Sequence, residues 1–265
     1  MSGAVRQVHP ALRRCLAGPM VAYDLTLPAE AVHLGVPSAA GTLIVAFDEP
    51  LDVGWLADPA RSTRRWASLS GLHLQPALIR TYGVQRGIQL ALTPTGCRAL
   101  FGAPIGTVAG LTVDVADLPR GLTPAEHNCL AMEPTWAGRL AILERLLLKR
   151  LTDDAPTRDV AQAWRLLSKG QSVAATAAEV GWSRRHLATL VRAECGVTPK
   201  EVGRLARFDR ARALVRKRAS LADAAHLAGY ADQSHLSREW RTLAGRPPSR
   251  ASEDFPNLHD VLPGG

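Results

Sequence analysis

Residues 229–240 read GYADQSHLSREW and follow an alanine-rich run, LADAAHLA, at 221–228. Taken alone, the stretch predicts a turn at Gly229 and a helix over about 233–243. Its weight comes from an echo upstream, where VAATAAEV (173–180) precedes GWSRRHLATLV (181–191). Aligned on Gly181 and Gly229, each copy has a small residue four places earlier, Ala177 or Ala225. Two helices crossing tightly need such a residue at closest approach. An aromatic follows each glycine, Trp182 or Tyr230, suited to fill the space between the helices. His186-Leu187 and His235-Leu236 come next, with one extra turn residue in the second copy. Leu190 and Trp240 are expected at the next inward position. Gly196 and Gly245 stop the second helices, ahead of Thr198-Pro199 and Pro247-Pro248. So ordered a series is a repeated helix-turn-helix unit, not an accident of an Ala- and Arg-rich composition.

Between the copies, residues 198–220 predict one long helix. Val202, Leu205, Phe208, Ala211, Leu214 and Val215 form its apolar stripe, and Arg204, Arg207, Arg210, Arg212, Arg216, Lys217 and Arg218 surround it. A helix of about 20 residues spans roughly 30 Å, close to the ~34 Å repeat of the B-DNA major groove. It could hold two recognition helices over successive grooves. The lesser alternative is a long packed helix with a solvated basic face.

Charge points the same way. Of 32 Lys and Arg and 24 Asp and Glu, residues 158–250 hold 18 and 8, leaving 14 and 16 for the rest. A basic half joined to a near-neutral half suggests that one domain meets a polyanion. No apolar run approaches the roughly 18–20 residues of a membrane span, and nothing marks the start of the chain for export. Cys15, Cys97, Cys129 and Cys195 are scattered without a CxxC pair, which fits a reducing cytoplasm better than a disulfide framework or zinc site. No membrane partner, metal or cofactor is expected.

Residues 1–118 lack long helical periodicity. GTLIVAF (41–47), ASLSGLHL (67–74), ALIRTY (77–82) and GIQLAL (87–92) are short apolar or alternating runs between turn formers, predicting an antiparallel β domain. TPTGCRALFG (93–102) predicts a short helix capped by Thr93 and stopped by Gly102. Trp136, Leu140, Leu143, Leu147 and Leu151 then form a helical stripe over 134–151, either packed in its own chain or used for a homodimer. DVAQAWRLLSKG (159–170) predicts another helix. The expected organisation is multidomain α+β: an N-terminal β-rich sensor or dimerisation domain (1–120), a linker with the apolar helix (121–157), an all-α double helix-turn-helix domain (158–250) and a C-terminal tail (251–265).

The run GWSRRHLATLVRAECGVTPKEVGRLARFDRARALV, followed by LADAAHLAGYADQSHLSREWRTLAGRPPS, resembles the DNA-binding domain of AraC/XylS-type bacterial transcription regulators. GIQLALTPTGCRALFGAP resembles, less distinctively, the N-terminal β domain of a subgroup of them. The resemblance implies a cytoplasmic, sequence-specific regulator that binds double-stranded DNA. It also implies a cupin-like N-terminal domain that senses a small-molecule effector or dimerises, and contact with RNA polymerase if the regulator activates. Family base-reading positions carried over fall on Arg185, Ala188 and Thr189 in the first recognition helix. In the second they fall on Gln233, Ser234, Ser237 and Arg238. The chemistry suits them: Arg can bridge guanine O6 and N7, Gln can pair with adenine, and a Thr or Ala methyl can touch the thymine methyl. Arg184, His186, Arg192, His235 and Arg241 are expected on phosphates, positioning without specifying. Two positions depart from the family pattern: Thr176 stands where an aliphatic residue is usual, and Ala188 offers no hydrogen bond. The first copy is therefore expected to give affinity more than discrimination.

Other classes fit less well. An architectural DNA binder, whose β domain only dimerises, is the alternative. A fused alkyl transferase would need clustered cysteines to hold zinc and form a thiolate. A metal cupin enzyme would need several His on one strand face, whereas His33 and His73 are isolated. The chain is not expected to be an enzyme.

Overall fold

The computed structural model describes residues 2–28, 31–154 and 158–253. Two antiparallel sheets fill its first half. The strands are β1 (Ser2–Arg6), β2 (Met20–Thr26), β3 (Val32–Gly35), β4 (Gly41–Phe47), β5 (Leu51–Trp55), β6 (Asp58–Arg65), β7 (Ala67–Ser70), β8 (Ala77–Arg80), β9 (Val84–Leu92) and β10 (Thr112–Asp114). One sheet runs β1-β2-β9-β4-β7-β10, the other β3-β8-β5-β6.

The larger sheet is covered on both faces, which explains its unbroken apolar runs. In β4, Leu43, Val45 and Phe47 enter the cluster shared with the helices, while Ile44 and Ala46 face a second cluster with Leu51, Val53, Ala77 and Ile79 of the smaller sheet. β4 pairs with β9 with Leu43 opposite Leu90 and Val45 opposite Ile88. The β7 strand ends at Ser70, short of the stretch 67–74; at the next residue only glycine fits, since a Cβ on Gly71 would meet Val108 O at 2.2 Å. β6, at an outer edge, is exposed along most of its length.

Helices follow. α1 (Pro94–Phe101) is capped by Thr93, whose side chain accepts from the Gly96 N–H, and ends at left-handed Gly102. α2 (Pro124–Met132), inside the expected linker, opens on a capping box between Thr123 and Glu126. In α3 (Trp136–Arg150), Leu140, Leu143 and Leu147 are buried. Its neighbours are β1, β2, α1 and α2, so the apolar stripe is packed within its own chain. Beyond it lie α4 (Arg158–Ser168), α5 (Val173–Glu179), α6 (Arg184–Cys195), α7 (Pro199–Arg216), α8 (Leu221–Ala228) and α9 (Gln233–Ala244). A 3-10 turn, Pro248–Glu253, carries the described chain past residue 250; the rest of the expected tail lies outside the described residues. No helix among the described residues is long and apolar enough to cross a membrane.

The halves pack closely. Val36, Ala39, Leu72, Ile105 and Val108 share one apolar cluster with Leu187, Val191, Cys195 and Val197. Arg98 of α1 bonds Glu194 of α6 through both Nε (3.3 Å) and Nη2 (2.8 Å). The turn before β4 docks on two helices: Ser38 Oγ (3.1 Å) and the Ala39 N–H (2.9 Å) donate to Asp209 of α7, and Trp164 Nε1 of α4 donates to Ala39 O (3.2 Å).

Candidate nucleic-acid interface

Each helix-turn-helix is assembled by the same local chemistry. Gly181 (φ +72°) and Gly229 (φ +88°) take the left-handed backbone that closes the first helix, and nothing lies within 4 Å of where a Cβ would stand. Their need for glycine is conformational, not steric. The next N–H folds back, from Trp182 to Ala177 O and from Tyr230 to Ala225 O, both at 2.8 Å. Ala177 and Ala225 are 2% and 1% exposed, as the tight crossing requires. Ser183 and Asp232 cap the recognition helices, their side chains accepting from the backbone N–H of His186 (3.1 Å) and His235 (2.6 Å).

Past the extra turn residue the copies correspond position by position at an offset of 49: Arg184/Gln233, Arg185/Ser234, His186/His235, Ala188/Ser237, Thr189/Arg238 and Arg192/Arg241. Arg185, Ala188 and Thr189 lie at i, i+3 and i+4 on one face of α6, and Ser234, Ser237 and Arg238 repeat that face on α9. Arg184, Arg185, His186, Thr189, Arg192, Gln233, Ser234, Arg238 and Arg241 are exposed; Ala188, His235 and Ser237 are half-buried. Thr189 Oγ1 donates to Arg185 O (3.1 Å). The histidines are matched too. His186 stands edge-on to Trp182 at 5.1 Å, and His235 edge-on to Tyr230 at 5.2 Å.

Three sequence expectations are corrected. The inward residue after Leu187 is Val191, fully buried, while Leu190 is half-exposed; Val191 matches Trp240 at the offset of 49, both four residues past their leucines. The expected helix over 198–220 stops at Arg216, with Lys217 as its cap and Arg218 at φ +63°. Nor is α7 wrapped in a solvated basic face. Arg204 Nε and Arg207 Nη2 each lie 3.2 Å from Glu239 of α9, Arg210 donates to Ser168 O (3.2 Å) and Ala228 O (3.4 Å), and Arg212 is buried, its Nη1 3.7 Å from Asp209. Arg216, Lys217 and Arg218 stay exposed. Thr176 is fully buried where the second copy has Ala224, and its hydroxyl lacks a hydrogen-bond partner. Glu239 went unnoticed in the sequence because its partners lie about 32 residues back on another helix.

The amino-terminal half contributes a cavity of about 60 Å³ between the sheets, lined by Val36, Ile44, Leu51, Val53 and Ile79 with Thr42, Ser70, His73 and Gln89 as its polar groups. Burial lowers the His73 pKa to about 4, against an opposing hydrogen bond to Gln75 O (2.6 Å). Cys97 is buried in α1, where burial pushes its thiol up to about 12, far from an activated nucleophile.

Residues 176–253 match the model of a helix-turn-helix domain family. The region is an AraC-type helix-turn-helix domain. Compared by sequence with curated proteins, the chain matches none. Among solved structures it is similar to ToxT from Vibrio cholerae: one structure is 9% identical, with 87% of this chain and 97% of that chain covered and a TM-score of 0.53. A lysine-to-alanine variant of apo ToxT is 11% identical over 89% and 98% of the two chains, TM-score 0.56. Wild-type ToxT bound to an unsaturated fatty acid is 12% identical over 87% and 93%, TM-score 0.53. At these identities the likeness is one of fold: an antiparallel β half followed by a helical half carrying the paired motifs.

Proposed function

We propose that the chain is a sequence-specific DNA-binding transcription regulator whose amino-terminal half, residues 1–120, responds to a small effector. The observation that carries the reading is the position-by-position match of two exposed recognition faces on α6 and α9, joined by an 18-residue helix. At 1.5 Å per residue that helix is about 27 Å long, suited to two successive major grooves. Arg185, Ala188, Thr189, Gln233, Ser234, Ser237 and Arg238 read bases in this account, and Arg184, His186, Arg192, His235 and Arg241 hold phosphates.

Effector response is supported by how the cavity joins the reader. Val36 and Thr42, in its wall, bracket the turn whose Ser38 and Ala39 bond Asp209 and Trp164. A ligand that swells the space between the sheets would press on this turn and so on α4 and α7. The lining, apolar with Thr42, Ser70, His73 and Gln89 as its polar groups, suits a small molecule that widens the space on binding. ToxT, of similar fold, has been solved with an unsaturated fatty acid bound, which supports a small-molecule ligand for this chain. DNA affinity measured across a metabolite panel tests it: at least one such molecule should change affinity, and a panel without effect would favour a constitutive architectural binder.

A further inference from the structure

The two readers are set apart by a cleft of about 720 Å³. α7 forms its floor, the start of α5 one wall, and the end of α8 with α9 the other. Its charged side chains are Lys200, Arg204, Arg207 and Arg210 against one carboxylate, Glu239, with His235 at the rim of α9. The single carboxylate is already shared by Arg204 and Arg207, so the cleft keeps a strong positive excess. Lys200, in the first turn of α7, is exposed. The excess of cationic side chains suits an anion.

We infer that this cleft takes phosphodiesters of the DNA segment between the two half-sites, an inference that rests on the regulator reading above. On one face of B-DNA, two successive major grooves are separated by a minor groove whose edges are phosphates. A duplex read by α6 and α9 together must carry those phosphates past the space between the two units. The cleft is lined by α5 of the first unit and by the end of α8 and α9 of the second, across α7. His235 lies in its rim and on the same helix as Gln233 and Ser234, so one element would face both the bases and the intervening backbone. Contacts of this kind hold register and add affinity without reading sequence.

The test pairs Lys200→Gln with DNA in which single linkages between the half-sites are made neutral as methylphosphonates. One such linkage should weaken the wild-type protein and leave Lys200→Gln almost unaffected, while Lys200→Gln lowers the salt slope of binding by about one. Independent, additive losses, or a flat scan between intact half-sites, would overturn the cleft assignment alone. If inorganic phosphate raises the melting temperature of wild type but not of Lys200→Gln while the scan stays flat, the cleft is a small-anion site and the inference is likewise wrong. A protein without base preference contradicts the regulator reading instead; the salt slope on random duplex then decides the cleft, and equal slopes for the two proteins would overturn it.

Discussion

Arg207 of α7 reaches Glu239 of α9 at 3.2 Å while its guanidinium lies 4.6 Å over the ring of Tyr230. Tyr230 OH donates to the same carboxylate at 3.2 Å, and Arg204 approaches its other oxygen. One carboxylate thus ties the second recognition helix to the connecting helix and to the aromatic residue of the turn. Phe208 and Trp240, edge-on at 5.2 Å, back the joint with apolar contact. The pitch and rotation of α9 against α7, and hence the separation of the reading faces, are set here.

Glu239→Ala should therefore do two things. Leaving Arg204 and Arg207 without their acceptor should cost about 1–3 kcal/mol of stability, read by chemical denaturation. The variant should also tolerate half-sites moved one base pair closer or farther, where wild type does not. Unchanged spacing selectivity would show that the joint is only structural.

Arg238→Ala and Arg241→Ala should separate reading from holding. The first should lose roughly 1–3 kcal/mol and relax preference at one base position, while the second should weaken all sequences alike and reduce the salt slope by about one. Binding measured on a panel of single-base variants distinguishes them.

Asp209→Ala removes the acceptor for Ser38 Oγ and the Ala39 N–H. Hydrogen exchange in residues 36–41 should rise. An effector identified from the panel should then change DNA affinity less in the variant than in wild type, because the turn no longer presses on α7. An undiminished effector response would place the coupling elsewhere, with Arg98 and Glu194 the next pair to examine.

Acid should weaken the β half through His73. Its folded-state pKa is lowered to about 4 by burial, whereas an unfolded histidine titrates near 6.5. The unfolded chain takes up the proton first, so this contribution to stability is complete above about pH 6.5 and is lost as pH falls toward 4. Melting temperature followed over that range should drop less steeply in His73→Gln than in wild type.

The reader was legible in the sequence because its determinants are local: a small residue, a left-handed glycine, an aromatic and a capped amphipathic helix recur in order. Leu190 resembles an inward residue by type, but the extra turn residue of the second copy sets the offset at 49 and so makes Val191 the counterpart of Trp240. The arginines of α7 read as a solvated face because the partners of Arg204, Arg207 and Arg210 are distant: Glu239 and the carbonyls of Ser168 and Ala228. Arg212 instead finds Asp209 and Phe208 on its own helix. In the β half, GTLIVAF is legible as a strand from its short apolar run, whereas DPARSTRR (58–65) carries no apolar alternation and is a strand only through its pairing with β5. α2 went unnoticed because its apolar residues form no clear stripe, although Thr123 and Glu126 stand at capping-box spacing.

The most direct measurement is in-vitro selection of bound DNA from a random duplex library by the purified protein. The account predicts enrichment of a two-part site, its halves one helical turn (about 10 base pairs) apart, with the half assigned to α9 the more sharply defined because Gln233, Ser234, Ser237 and Arg238 offer more hydrogen bonds than the face of α6. Enrichment of no sequence at all, or of a single half-site indifferent to its surroundings, would contradict it.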